Sequence, residues 1–153
     1  MSDNFYNASG IQKVLTVNYA ITRTANGGNY AVNNVAGTGS GRFTFVIPSN
    51  FISAISLDLI GSPSAGAAGS GKNIDLTSSY ALVGQDVNTN SQSDVSSTYN
   101  LGTVSTFFNL NLLPLYSSLA ANHICGILVD HNAIGGTVSY YAIRLVYNGS
   151  IAP

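Results

Sequence analysis

In Arg42-Phe43-Thr44-Phe45-Val46-Ile47, large apolar side chains stand at every second position. In an extended strand successive side chains point to opposite faces, so Phe43, Phe45 and Ile47 share one side and Thr44 and Val46 the other. Three large apolar groups on a single face need a hydrophobic layer opposite them. Toward the C-terminus, Pro48-Ser49-Asn50 makes a tight corner. Residues 51–60 then resume the alternation, with Phe51, Ile55, Leu57 and Leu59 inward and Ser56 and Asp58 outward. Toward the N-terminus, Gly37-Thr38-Gly39-Ser40-Gly41 breaks the chain, residues 30–35 read as a short strand, and Asn26-Gly27-Gly28 signals a turn. Residues 11–24 precede it as one long half-buried strand, with Ile11, Lys13, Leu15, Val17, Tyr19, Ile21 and Arg23 on one face.

The same period runs through the rest of the chain. Residues 61–72 are a Gly/Ala/Ser-rich loop, and residues 73–83 a weaker strand carrying Ile74, Leu76 and Tyr80. Residues 85–97 are polar and long for a connection, which marks a functional or mobile segment or one folded onto a neighbour. Strand character returns over 99–113 and stops at Pro114, after which residues 115–121 suit a short helical turn. Residues 124–131 place Cys125, Ile127 and Val129 on one side, and Ala133-Ile134-Gly135-Gly136 turns the chain. The last strand, 137–148, sets Tyr141, Ile143, Leu145 and Tyr147 opposite Val138, Tyr140, Arg144 and Val146. About eight short strands with no three-turn amphipathic helix define an all-β protein. The expected architecture is a single-domain, eight-stranded antiparallel jelly-roll β-sandwich over residues 11–148, between an N-terminal arm (1–10) and a C-terminal tail (149–153). An immunoglobulin-like sandwich is the alternative, without the Cys…Trp…Cys core of that fold.

Only 7% of the 153 residues are charged and the net charge is −1, whereas about 25% is usual in soluble domains. Five Lys and Arg cannot neutralise many phosphates, so no nucleic-acid partner is expected. Ser, Thr and Asn supply 48 residues, which keeps a weakly charged surface hydrated. Such a surface repels its copies little and favours association. The first residues lack a cationic stretch followed by an apolar one, and no apolar run approaches the roughly 20 residues of a membrane span, so neither a secretory signal nor a membrane partner is expected. Cys125 is the one cysteine, set in an apolar run, and reads as a small buried hydrophobe.

Three motifs suggest chemistry and do not carry it. Gly66-Ala67-Ala68-Gly69-Ser70-Gly71-Lys72 has the spacing of a phosphate-binding loop, but Asn73 stands where the Mg²⁺-ligating hydroxyl belongs and a strand follows in place of a helix. Asp130 and His131 are adjacent on a strand and point to opposite faces, and His123 and His131 differ in parity. With no Glu, a hydrolytic carboxylate pair would need two of Asp58, Asp75, Asp86, Asp94 and Asp130, and nothing in the spacing unites them. The expectation is a protein that is not an enzyme, with no catalytic residues, cofactor or metal. Nine Tyr, six Phe and no Trp supply amphipathic contact area. Tyr30, Tyr80, Tyr99, Tyr116, Tyr140 and Tyr141 are the candidates for a subunit interface or a ligand surface such as a glycan platform.

Residues 119–131, Leu-Ala-Ala-Asn-His-Ile-Cys-Gly-Ile-Leu-Val-Asp-His, and residues 140–147, Tyr-Tyr-Ala-Ile-Arg-Leu-Val-Tyr, resemble the last two strands of small jelly-roll structural proteins of phages and viruses, of the capsid-decoration, head-fibre or fibre-domain type. Asn122-His123 stands where such proteins usually show Gly-Asp. The resemblance implies a subunit assembled in the host cytoplasm into a virion, or alternatively an extracellular filament. Its partners would be copies of itself in a trimer or higher symmetric assembly, other capsid or fibre proteins, and a surface glycan. A carbohydrate- or receptor-binding module is the alternative function.

Overall fold

The computed structural model describes residues 11–18, 32–95 and 97–150. The expected arm 1–10, the expected strand residues 19–24 and Tyr30 lie outside them. Ten strands follow in order: β1 (Ile11–Asn18), β2 (Asn33–Val35), β3 (Ser40–Val46), β4 (Phe51–Pro63), β5 (Lys72–Ala81), β6 (Asn90–Asp94), β7 (Thr98–Tyr99), β8 (Phe108–Asn111), β9 (Ile124–His131) and β10 (Val138–Gly149). A single 3₁₀ turn at Leu113–Leu115 is the short helical element, two residues earlier than its sequence position suggested.

The strands form two antiparallel sheets. The first has the order β1-β10-β4-β8, with β2 also on β10, and the second the order β3-β9-β5-β6, with β7 also on β5. The antiparallel pairs β1·β10, β3·β9, β4·β8 and β5·β6 are nested in sequence. The chain is thus one long hairpin folded over so that successive rungs fall alternately in one sheet and the other. That is the jelly-roll topology, and it sets aside the immunoglobulin-like alternative. The two strands beyond eight are β6, inside the expected loop 85–97, and the division of the expected strand 99–113 into β7 and β8; β1 and β2 lie along one edge of β10, where Asn18 pairs Ala142 and Asn33 pairs Tyr140.

The core lies between the sheets. Phe43, Phe45 and Ile47 of the second sheet face Leu57, Leu59, Ile143 and Leu145 of the first, all at most 3% exposed. Phe43 meets Tyr140 edge to face at 5.6 Å, a contact from sheet to sheet. His131 ties the sheets by hydrogen bonds. Its Nδ1–H donates to the Ala36 carbonyl at 2.8 Å and its Nε2 accepts the Tyr140 hydroxyl at 2.9 Å, which satisfies a neutral imidazole at both nitrogens.

Two register shifts alter the expected faces. Ser56 pairs Val146 while Ala54 pairs Tyr147, so Ile55 is an extra residue in β4. A bulge of this kind reverses the side-chain alternation beyond it. Ile55, expected inward, is 46% exposed, and Ala54 packs against the core in its place. A second shift between Tyr140 and Ala142 puts Tyr140 in the core along with Ile143, two residues expected on opposite faces. Asp58 does leave the core face as expected, yet it is buried at 5% exposure under its own partners. The long polar connection contains β6, an edge strand without an apolar residue. The tail assignment beginning at 149 is also corrected: Gly149 ends β10 and the Ser150 N–H donates to the Asn50 carbonyl at 2.8 Å.

Leu57→Ala is expected to lower unfolding free energy by about 2–5 kcal/mol, whereas Ile55→Ala should change it by less than about 0.5 kcal/mol; equal losses in urea titrations would contradict the bulge. Tyr140→Phe leaves the buried His131 Nε2 without a donor and should cost about 1–3 kcal/mol. Burial lowers the His131 pKa, and that of His123, below 6.5. Below that pH the unfolded chain takes up protons that the folded chain resists. Stability present above 6.5 is therefore lost as pH falls toward the folded values, and the urea midpoint should drop between about pH 7 and about pH 5.

Candidate functional site

The tyrosines proposed as a surface divide sharply. Tyr80, Tyr116 and Tyr140 are at most 2% exposed. Each hydroxyl has a partner on another element or connection: Tyr80 with the Ser118 hydroxyl at 3.0 Å, Tyr116 donating to the Gly126 carbonyl at 2.8 Å, and Tyr140 to His131. A tyrosine so satisfied can be buried whole, and these three are core residues of the sandwich. Tyr99 is half-buried and donates to Asp94 at 3.0 Å; burial first, and then that carboxylate, push its pKa up to about 12. Tyr141 is 8% exposed and lies outside the core, in a small cluster with Val32 and Ala142.

The motifs set aside on sequence have structural roles. The loop after β4 is held by Lys72, whose Nζ donates to the carbonyls of Gly66 and Ile134 at 3.1 and 3.2 Å. Gly66 lies so close to the 135–136 turn that a Cβ there would collide with the Gly135 carbonyl. His123 accepts the Ala120 N–H at Nδ1, 3.0 Å away. Asp75 and Asp130 stand directly opposite each other on β5 and β9, and Asn132 donates to Asp75 at 2.8 Å. Among the described residues no group of three or more His, Cys, Asp or Glu is arranged to hold a metal ion. Cys125 is fully buried and its thiol pKa is pushed up to about 12 by burial.

Among the described residues, one surface on the outside of each sheet gathers exposed apolar groups. On the second sheet, a trough runs along β9. Two contiguous hollows, about 410 and 280 Å³, share Thr44, Ser79 and Gly126. Its floor is Gly126, where an added Cβ would meet nothing nearer than 3.8 Å. One end is apolar: Val46 and Ile124 are paired across β3 and β9 at 52% and 44% exposure, and Val83 and Val87 of the β5–β6 connection are 86% and 75% exposed. On the first sheet, Phe107 is 59% exposed and its ring stands at 82° to that of Tyr141, centroids 5.1 Å apart. Beside this corner, Asp58 accepts from Asn109 Nδ2 at 3.0 Å and from Arg144 Nη2 at 3.1 Å.

Of these surfaces, sequence reading named Tyr141 and marked the segment 85–97 that supplies Val87, and it missed the other residues. The doublet Phe107-Phe108 was a usable signal, because adjacent side chains entering a strand face opposite sides and one aromatic must look outward. The trough offered none, since its apolar members come from separate strands and a turn.

No family model matches the chain, and no curated protein matches it either. Solved structures with a similar fold include the dimeric latent PorU of Porphyromonas gingivalis (12% identity over 93% of this chain, TM-score 0.49). The chain spans only 13% of PorU. TmCBM61 in complex with β-1,4-galactotriose is 10% identical, with 96% of this chain and 99% of that one covered and a TM-score of 0.43. A chain of infectious bursal disease virus, Gx strain, is 14% identical, with 95% and 34% covered and a TM-score of 0.46. Such likenesses concern the sandwich alone, which the strand order already defines. The protein is a jelly-roll β-sandwich, and its resemblance to jelly-roll structural proteins holds at the level of fold.

The buried thiol is expected to resist a disulfide reagent such as Ellman's at neutral pH until the protein unfolds. Its modification rate in rising urea should follow the unfolding curve, and fast labelling of native protein would contradict its placement.

Proposed function

We propose that this chain is a non-enzymatic structural subunit of a virion or filament, of the capsid-decoration or fibre type, that packs against copies of itself. The observation that carries this reading is the apolar end of the trough, where Val46, Val83, Val87 and Ile124 stand at 44–86% exposure on a chain with 7% charged residues. Exposed apolar side chains gathered in one place mark an interaction surface. Few charges must be desolvated when two such surfaces meet, and a net charge of −1 gives copies little mutual repulsion. The low count of cations supports a role away from the genome, in an outer or accessory position. Ringed or higher symmetric assembly, a trimer among them, suits a trough that differs from the opposite face of the molecule, because contacts between unlike patches close into rings or extend into filaments. Assembly in a host cytoplasm, phage origin, and contact with other capsid or fibre proteins belong to the same proposal.

Light scattering coupled to size exclusion tests it. The wild-type chain at micromolar concentration is expected to run well above its 15.9 kDa monomer mass. Val83→Asp and Val87→Asp should shift it to monomer with an unchanged melting temperature, since both side chains project into solvent. Gly126→Ala should weaken the association by raising the floor of the trough, where an added Cβ meets nothing nearer than 3.8 Å. A wild type that is strictly monomeric at every accessible concentration would overturn the reading.

A further inference from the structure

We infer that the outer face of the first sheet carries a second site, a groove for a neutral saccharide, distinct from the docking trough and independent of the assembly proposal. The groove, about 410 Å³, is lined by Phe107, Tyr141, Ile60, Ala142, Asn109 and Arg144. Its shape follows from the β10 bulge. The extra residue between Tyr140 and Ala142 puts Tyr141 beside Ala142 on the outer side, and the register sets Ala142 and Asn109 on either flank of Ile60. Bulges recur next to binding sites because they re-aim a side chain in this way.

Three observations select the ligand class. The first is the aromatic corner. Phe107, 59% exposed and perpendicular to Tyr141, gives one apolar plane as a wall against a floor of Ile60 and Ala142. A rigid ring of this kind supplies contact area at small entropic cost, and it fits the C–H face of a sugar ring. The second is fixed polar geometry. Asp58, whose side chain is buried, holds Arg144 and Asn109 by one hydrogen bond each. The Arg144 side chain is 45% exposed, and its guanidinium has five N–H donors in a rigid fork, so donors remain for hydroxyl groups. The Tyr141 hydroxyl is likewise fixed by Ser62 at 2.9 Å. The third is charge. Arg144 and Asp58 cancel, so neither an anion nor a cation is drawn to the groove. A purely apolar ligand would leave the Arg144 and Asn109 groups desolvated and unpaired, which is costly. A polyhydroxylated neutral ring, apolar on its face and hydrogen-bonding at its rim, satisfies both halves of the lining. Mixed linings of this sort, mainly apolar with a few placed polar groups, are the usual make-up of ligand sites.

The test is saturation-transfer NMR and calorimetry on the full chain with neutral tetrasaccharides of β-1,4-linked glucose, galactose, mannose and N-acetylglucosamine. At least one is expected to bind at millimolar concentration or below, with transfer to its ring C–H protons. Phe107→Ala should abolish the transfer, and Arg144→Gln should weaken binding at least tenfold. Phe107 is exposed, so the variant is expected to keep its melting temperature; a fallback, Ala142→Leu, narrows the floor without removing any contact. Three results would overturn the inference: no binding of any tetrasaccharide in millimolar sugar, binding that survives Phe107→Ala and Ala142→Leu, or a change of oligomeric state in Phe107→Ala, which would make a second copy of the chain the occupant. The first two results leave the trough proposal untouched, and after the third the masses of Val83→Asp and Val87→Asp still decide separately whether the trough is also a contact between copies.

Discussion

Strand β10 must satisfy two neighbours and one core at the same time. It pairs β4 from Val138 to Gly149 on one edge and β1 and β2 on the other. A paired strand cannot rotate to correct its faces, so side-chain parity is corrected by inserting residues. The insertions at Ile55 and Tyr141 do this. They keep Ala54, Leu57, Tyr140 and Ile143 on the core side and send Ile55 and Tyr141 to the outside. The same pairing brings Tyr140 under His131 and closes the two sheets over one hydrophobic layer. The aromatic corner is a consequence of this arrangement, since it stands at the β10 bulge, whereas the trough belongs to the other sheet and lies over Gly126, a residue that has no side chain.

Legibility in the sequence followed the locality of each cause. β3 and β9 were readable almost to the residue, because their alternation is unbroken and both lie in the middle of the chain's most apolar runs. The bulges were invisible, since they arise from pairing between β10 and β4, two strands far apart in the chain. β6 was read as a loop because Asn90-Ser91-Gln92-Ser93-Asp94 has no apolar member. An edge strand held by its neighbour's backbone needs none. The tyrosines misled for a related reason. A tyrosine's place in core or surface depends on whether its hydroxyl finds a partner, and for Tyr80, Tyr116 and Tyr140 those partners are Ser118, Gly126 and His131, each set by tertiary packing.

The two outer faces differ in the kind of contact they offer. The trough is apolar at one end, hydroxyl-lined along its length and floored by Gly126, so it accepts a projecting side chain from another surface. The Phe107 groove is narrower in chemistry, an aromatic plane beside a cancelled ion pair. A low surface charge serves both, because neither a docking partner nor a neutral ligand is repelled. Lys72, the 64–71 loop and the buried histidines contribute to the sandwich itself, and none of them opens onto these faces.

Hydrogen exchange followed by mass spectrometry, comparing dilute with concentrated protein, separates the two outer faces. Amides over residues 82–87, outside the strands and at the apolar end of the trough, are expected to become protected on concentration while those of β10 and β4 stay unchanged. Identical exchange over 82–87 at both concentrations, or new protection confined to the opposite sheet, would contradict docking through the trough.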